Sequence, residues 1–272
     1  CTTANASLSA SSYLFIEHGL EGQDLQHIKK GTANAESVTL SFWVKSNKTG
    51  TYICELMDND NSRTISKSYT IDSSNTWEKK TITYSGDTTG AFGNDNGKSL
   101  RVNLHLVAGT SFAGGTLATS WASQTNANRA AGQVNLADST SNNFYLTGVQ
   151  LELGSVATNF EYRSYGEELA ACQRYYQYYN GNYQLGVGRT ISGNRADTTY
   201  QFPTSMRATP TLIDSDISTM YVDGMTAFNP SNPTIELVHG STDGCMIRRT
   251  CSESVDANKI ASAQINYLKL DS

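Results

Sequence analysis

The strongest constraint in this chain is a period of two. In SVTLSFWVKS, Val38, Leu40, Phe42 and Val44 fall on one side and Thr39, Ser41, Trp43 and Lys45 on the other. KSLRVNLHLVAG repeats the arrangement, with Leu100, Val102, Leu104 and Leu106 opposite Arg101, Asn103 and His105. A helix cannot bury such a pattern, whereas a half-buried strand can. TYICELMD and WEKKTITYS supply two more strands, and FYLTGVQLELG closes the series with Val149, Leu151 and Leu153 on one face. DNDNS, SGDTTG and GNDNG carry the turn residues between them. Short strands with one apolar face and no intervening helices predict an all-β fold, an antiparallel jelly-roll β-sandwich over residues 37–161. Composition agrees. Of 272 residues only 17% are charged, with 15 Tyr and 4 Pro, which suits folded β structure rather than disorder. The length suits two domains.

The remainder divides around that sandwich. Residues 1–36 form a polar N-terminal segment expected to join it in part. Residues 162–180, YRSYGEELAACQRYYQYYN, read as a short connector helix, with Glu167 and Glu168 at its N-terminal end. Tyr165, Leu169, Cys172, Tyr176 and Tyr179 recur at 4-3-4-3 spacing, a stripe that either packs on its own chain or forms a seam between subunits. Residues 181–272 return to β in YQLGVGRT, TTYQFPT, ATPTLIDS, STMYVDGM, TIELVHG, CMIRRT and AQINYLKL, a second, smaller domain. Pro203 and Pro210 are expected at strand ends.

The net charge of −5 and the lack of a basic block argue against a nucleic-acid partner. No apolar run is long enough to predict membrane insertion. Cys1 followed by TTANASLSASS reads either as a lipidated tether or as the mere start of a processed or truncated segment; the second is taken, since one cysteine is thin ground for an anchor. Cys54, Cys172, Cys245 and Cys251 form no CxxC pair, so reduced thiols are expected, with a Cys245–Cys251 hairpin bridge as the secondary reading.

No constellation for catalysis emerges. His18, His27, His105 and His239 stand in unrelated contexts, without HExxH or GxSxG. Asp58 and Asp60 in MDNDN resemble the opening of a calcium loop but lack its later Gly and Glu, and read as a solvated turn. The expectation is a non-enzyme with no cofactor and no metal. Sugar recognition, by contrast, needs exposed aromatic rings with planar polar partners. Trp43, Arg101, Asn103 and His105 share outward parity and are candidates for one such sheet face, with Trp121 as a loop flap. Burial of Trp43 under a neighbouring segment or subunit is the competing reading, and Trp77 is expected in the core.

SVTLSFWVKSNKTGTY, TWEKKTIT and NNFYLTGVQLELG follow the order of the carbohydrate-binding jelly rolls attached to bacterial glycosidases. In that family the closing strand commonly carries an Asp near a structural calcium; Thr147 stands near that position here. The longer string GVQLELGSVATNFEYRSYGEELAACQRYYQ resembles bacteriophage tail fibres and related virion appendages, marine phages especially. That similarity begins near EGQDLQHIKKGTANA and includes FPTSMRATPTL. The resemblance implies a structural virion protein: a homotrimer assembled in the host cytoplasm, joined to other tail or capsid proteins, and attaching to a host-surface receptor, often a glycan. Tyr165, Leu169, Cys172, Tyr176 and Tyr179 are then interface candidates. A fibre's distal domain meets the host first, which makes Phe228, Asn229, Asn232, His239 and Asp243 receptor candidates against their reading as solvated turns. The alternatives are a carbohydrate-binding module of a secreted enzyme or lipoprotein, and a capsid-decorating fibre.

Overall fold

Leu40, Phe42 and Val44 are fully buried, as the alternation requires, and Leu100, Val102, Leu104 and Leu106 join them in one core. They belong to a computed structural model that describes residues 2–192, 195–216, 219–222, 226–228, 234–250 and 260–271. The chain divides into two compact units, Cys1–Glu161 and Tyr162–Ser272.

The first unit is an antiparallel jelly-roll sandwich. Its strands are β1 (Tyr13–Glu21), β2 (Val38–Ser46), β3 (Gly50–Asp58), β4 (Arg63–Ile71), β5 (Glu78–Tyr84), β6 (Lys98–Ala108), β7 (Ala122–Ser123) and β8 (Phe144–Leu153). One sheet runs β1-β6-β3-β4-β7 and the other β5-β2-β8. Most connections pass between the sheets, β3–β4 and β6–β7 excepted, and β6 lies between β1 and β3 and β2 between β5 and β8. Phe42 meets Tyr69 edge-on at 5.1 Å, and Tyr69 stacks on Tyr52 at 5.7 Å, an aromatic centre for the core.

Two readings of this unit need correction. Within the N-terminal segment, β1 pairs along its length with β6. Its alternation was obscured because Tyr13, Leu14 and Ile16 are apolar yet exposed. Val149 does not share a face with Leu151, being exposed. The register of β8 against β2 shifts between Ser41 and Trp43, where Gly148 has φ +59°, and the phase of the strand reverses there. Asp58 is no solvated turn residue: it is fully buried against Lys30.

The five-stranded sheet is covered on both faces. The segment after β6 folds back over it, beginning with the short helix α1 (Thr110–Ala113), and Ile53, Ala108 and Ala130 form a second small core with Phe112 and Leu117 packed against it. The cover is pinned by backbone bonds from Ser66 N to the Ala118 carbonyl and from Val134 N to the Thr51 carbonyl, 2.7 and 2.9 Å.

The second unit opens with α2 (Tyr165–Gln173), begun by a reciprocal capping box between Ser164 and Glu167. The helix is shorter than predicted and none of its residues is buried, so it does not pack its stripe on its own chain. Tyr176 and Tyr179 lie beyond it in β9 (Tyr176–Ser192), where Gln177 is buried between exposed Tyr176 and Tyr178. Tyrosine-rich sequence suits a strand better than a helix, and here tertiary pairing decided. Tyr179 packs against the core of this unit, which removes it from the interface candidates. The remaining strands are β10 (Arg195–Gln201), β11 (Thr211–Asp216), β12 (Thr219–Val222), β13 (Thr226–Phe228), β14 (Thr234–Gly240), β15 (Gly244–Thr250) and β16 (Ile260–Asp271). They form one antiparallel sheet, β13-β12-β16-β9-β10-β15-β14, with β11 also on β16. Phe202, Met206, Cys245, Ile247 and Leu270 make its core. Cys54, Cys172 and Cys245 are free thiols, and Cys251 lies outside the described residues.

Candidate functional site

The outer face of the three-stranded sheet carries an aromatic platform. β2 pairs Trp43 with Lys79 of β5 and with Thr147 of β8, and Lys45 with Tyr145. Residues directly opposite in a ladder share a face, so the alternation that buries Phe42 and Val44 turns Trp43, Lys45, Lys79 and Tyr145 outward. Trp77, just ahead of β5, completes the group. Trp43 and Trp77 are each 42% exposed and Tyr145 is 49% exposed. The Trp77 and Tyr145 rings stand 6.4 Å apart, and the Lys45 ammonium lies 5.3 Å from the first and 4.7 Å from the second. Such a cation over two ring faces fixes the rings' orientation and keeps them apart.

The strand irregularity at Gly148 serves this face. A Cβ at Gly148 would lie 3.4 Å from Trp43 Cδ1 and 3.8 Å from Phe160 Cδ2, so both rings close over a bare backbone. Beyond β8 the chain returns beside the platform: Gln150 donates to the Thr158 hydroxyl at 3.2 Å and accepts from Glu161 N at 2.8 Å. The result is a ledge of flat rings flanked by polar side chains, with ammonium groups within its aromatic end.

Sequence parity identified Trp43 correctly as outward but misjudged its companions. Arg101, Asn103 and His105 belong to β6 in the other sheet, so they share no face with Trp43. Nor are they open to a ligand. Arg101 is bound to Glu17, 3.3 Å away, and Asn103 and His105 are buried beneath the covering segment. Both attend Glu55: Asn103 Nδ2 donates to Oε2 at 3.0 Å, and His105 Nε2 faces the same oxygen at 3.3 Å. Arg129 clasps the carboxylate from above with bonds of 2.7 and 2.8 Å, and the Thr64 hydroxyl donates to Oε1 at 2.7 Å. Burial pushes the Glu55 pKa up, but the Arg129 and His105 hydrogen bonds outweigh it and hold the carboxyl well below its ordinary range. A carboxylate so fully engaged is a structural anchor, since every favourable site on both oxygens is occupied.

Trp77, expected in the core, is exposed on the platform instead. Tyr145 and Lys79 were missed altogether, although parity pointed to them: Tyr145 stands one residue off the inward Leu146, and Lys79 alternates with inward Ile82 and Tyr84 across WEKKTITYS. Trp121 is no flap over Trp43. Its indole N–H donates to the Ser85 carbonyl at 2.8 Å, and its ring packs against the sandwich core.

Among the second-unit candidates, His239 and Asp243 line one cleft of about 650 Å³ with Tyr200, Gln201 and Ser241. Asp243 is engaged by the Ser205 hydroxyl. Phe228 ends β13, and Asn229 and Asn232 lie outside the described residues.

No family model matches the chain, and no curated protein does. Matching solved structures include two of discoidin II from Dictyostelium discoideum, both 8% identical to this chain. The recombinant form has a TM-score of 0.21 and is matched over 98% of this chain and 80% of that one. For the wild-type form the TM-score is 0.22, over 97% and 99%. At those scores the likeness carries no argument, and the jelly roll rests on its own strand order. The virion resemblance rests on the sequence strings.

Proposed function

We propose that this chain is a non-enzymatic carbohydrate-recognising protein, a structural appendage of a bacteriophage virion that attaches to glycan on the host surface. The observation that carries the glycan part is the exposed Trp43, Trp77 and Tyr145 group on one sheet face. Sugar rings present flat C–H faces that stack on such rings, and hydroxyls that meet polar neighbours such as Thr147 and Gln150. The virion part follows from the GVQLELG to CQRYYQ resemblance. Binding to immobilised capsular polysaccharide and lipopolysaccharide tests the site. Trp43→Ala is expected to weaken binding about tenfold, roughly 1.4 kcal/mol, without changing the melting temperature, because the ring is half exposed. Unchanged binding would move recognition off this face, with the cleft at His239 and Asp243 as its next seat.

A fibre role brings a partner, a second and third copy of this chain, and α2 is its natural seam. Tyr165 is 81% exposed, and Leu169 and Cys172 are also exposed along the same helix. Apolar side chains grouped in this way on a helix with no buried face mark a contact surface. Light scattering should then give a trimer for the parent and a monomer for Leu169→Asp, because a lone charge in a buried seam costs on the order of 3 kcal/mol or more. A monomeric parent would favour the alternative of a carbohydrate-binding module from a secreted enzyme or lipoprotein.

A further inference from the structure

The platform carries two lysines that the protein does not hold in ion pairs among the described residues. Most lysines and arginines of the sandwich stand within ion-pair distance of a carboxylate, among them Lys29, Lys30, Lys48 and Arg129. Among the described residues Lys45 and Lys79 have no such pair, and the Lys45 ammonium lies over the Trp77 and Tyr145 rings instead. They are diagonal neighbours across β2 and β5, on the same outward face as Trp43 and at the aromatic end of the ledge. In a chain of net charge −5 this is a local reversal of sign.

The acids nearest this face are already engaged. Glu78 binds Lys80 at 2.6 Å and accepts from the Ser73 amide at 2.8 Å. Glu152 sits at the far end of the sheet, opposite Thr39, where it accepts from the Thr158 hydroxyl and amide. Lys79 lies within the field of Glu152 without forming an ion pair with it. Glu152 thus offsets part of the Lys79 charge from a distance, and neither lysine is held in a direct ion pair with a described carboxylate.

We infer that the platform is selective for acidic polysaccharides, whose sugar carboxylates meet Lys45 and Lys79 while their rings stack on Trp43, Trp77 and Tyr145. This rests on the glycan reading above and specifies its ligand class. A neutral sugar laid on these rings strips water from two ammonium groups and returns only hydroxyl contacts. A carboxylated sugar replaces that hydration with charge-assisted hydrogen bonds, which are about twice as strong as neutral ones. The aromatic rings add a requirement that charge alone lacks, a flat C–H face beside each carboxylate, and that separates a saccharide from a general polyanion.

The test uses the full chain and matched polymers: polygalacturonate, alginate and hyaluronate, each beside its carboxyl-reduced, neutral form, with double-stranded DNA as a further probe. At least one acidic polymer is expected to bind tenfold or more tightly than its reduced counterpart. Lys45→Met and Lys79→Met, which keep most of each stem, should lower binding of the acid form toward that of the neutral one, and Trp43→Ala should lower both. Equal binding of acid and reduced forms, or binding confined to neutral polysaccharides, overturns the charge selectivity and leaves sugar recognition standing. Failure of all six polymers and of the capsular and lipopolysaccharide panel overturns both. DNA bound as tightly as the acidic polymers, with no effect of Trp43→Ala, also overturns the inference, because it would show an unspecific polyanion surface.

Discussion

Replacing Arg129 with alanine is expected to destabilise the sandwich by about 3–5 kcal/mol, the usual cost of removing one partner of a buried ion pair. The loss arises less from the missing bonds than from what remains. Glu55 is fully buried and receives two of its bonds from the Arg129 guanidinium, and the remaining Thr64 and Asn103 donors are neutral groups. Arg129 also lies over Phe112, 5.8 Å from the ring centroid, so its removal loosens the cover on the five-stranded sheet. All three tryptophans, Trp43, Trp77 and Trp121, fall in the first unit, so urea unfolding followed by tryptophan fluorescence reports on the sandwich alone. Adding Glu55→Gln to Arg129→Ala should recover part of the loss. A double-mutant cycle with no coupling would show that the pair contributes nothing specific.

Acid titration gives the same pair an independent signature. The Glu55 pKa is held below its unfolded value, so the folded state binds its proton later than the unfolded chain does. The stabilisation is therefore complete above the unfolded carboxylate range, about pH 4.3, and is lost as pH falls toward the depressed folded value. In Arg129→Ala the guanidinium no longer opposes the burial penalty, so the folded pKa rises relative to that of the parent. Relative to the parent, the variant should regain stability as pH falls. Parallel pH profiles for the two proteins would rule out Glu55 and Arg129 as a linked pair.

Why sequence found one half of these sites and not the other is visible in β2 and β6. Period two assigns a face within a strand, and it placed Trp43 and His105 on the outward side of their strands correctly. It does not say which sheet a strand joins. β2 and β6 lie in opposite sheets, so the two outward faces point away from each other across the core. Nor does it reveal that residues distant in sequence return to cover a face. Ile53, Glu55, Asn103 and His105 became a buried layer because the segment through Arg129 lies over them. A single glycine at 148 reversed the phase of β8 and exposed Val149. The segment after Gln173 has both the apolar spacing of a helix and the aromatic content of a strand, and only its pairing with β16 separates the two.

Lys30→Met is expected to cost the sandwich about 3–5 kcal/mol, comparable with Arg129→Ala, for a related reason. Lys29 and Lys30 are adjacent and chemically identical, yet the fold gives them opposite weight. Lys29 meets Glu36 at 3.0 Å with both side chains about half exposed, and such a pair is worth roughly 0–1 kcal/mol. The Lys30 ammonium is sealed in the wall of the sandwich, 2.5 Å from Asp58 Oδ2 and 3.2 Å from Asp87 Oδ2, and donates to the Thr89 and Gly90 carbonyls at 2.9 and 2.8 Å. Phe92 and Trp121 close it off, with ring centroids 5.2 and 5.4 Å away. Methionine keeps most of the stem but leaves Asp58 charged and buried, with Asn61 alone among the described residues still donating to it. Asp87 retains its two bonds from Arg63, so the cost concentrates on Asp58. Adding Asp58→Asn to Lys30→Met should then restore much of the stability, whereas Asp87→Asn should restore little. Lys29→Met should leave the urea midpoint within experimental error of the parent. A Lys30→Met protein as stable as Lys29→Met would mean that the oxygens around the ammonium are served equally well by water, and that this closed wall opens to solvent without penalty.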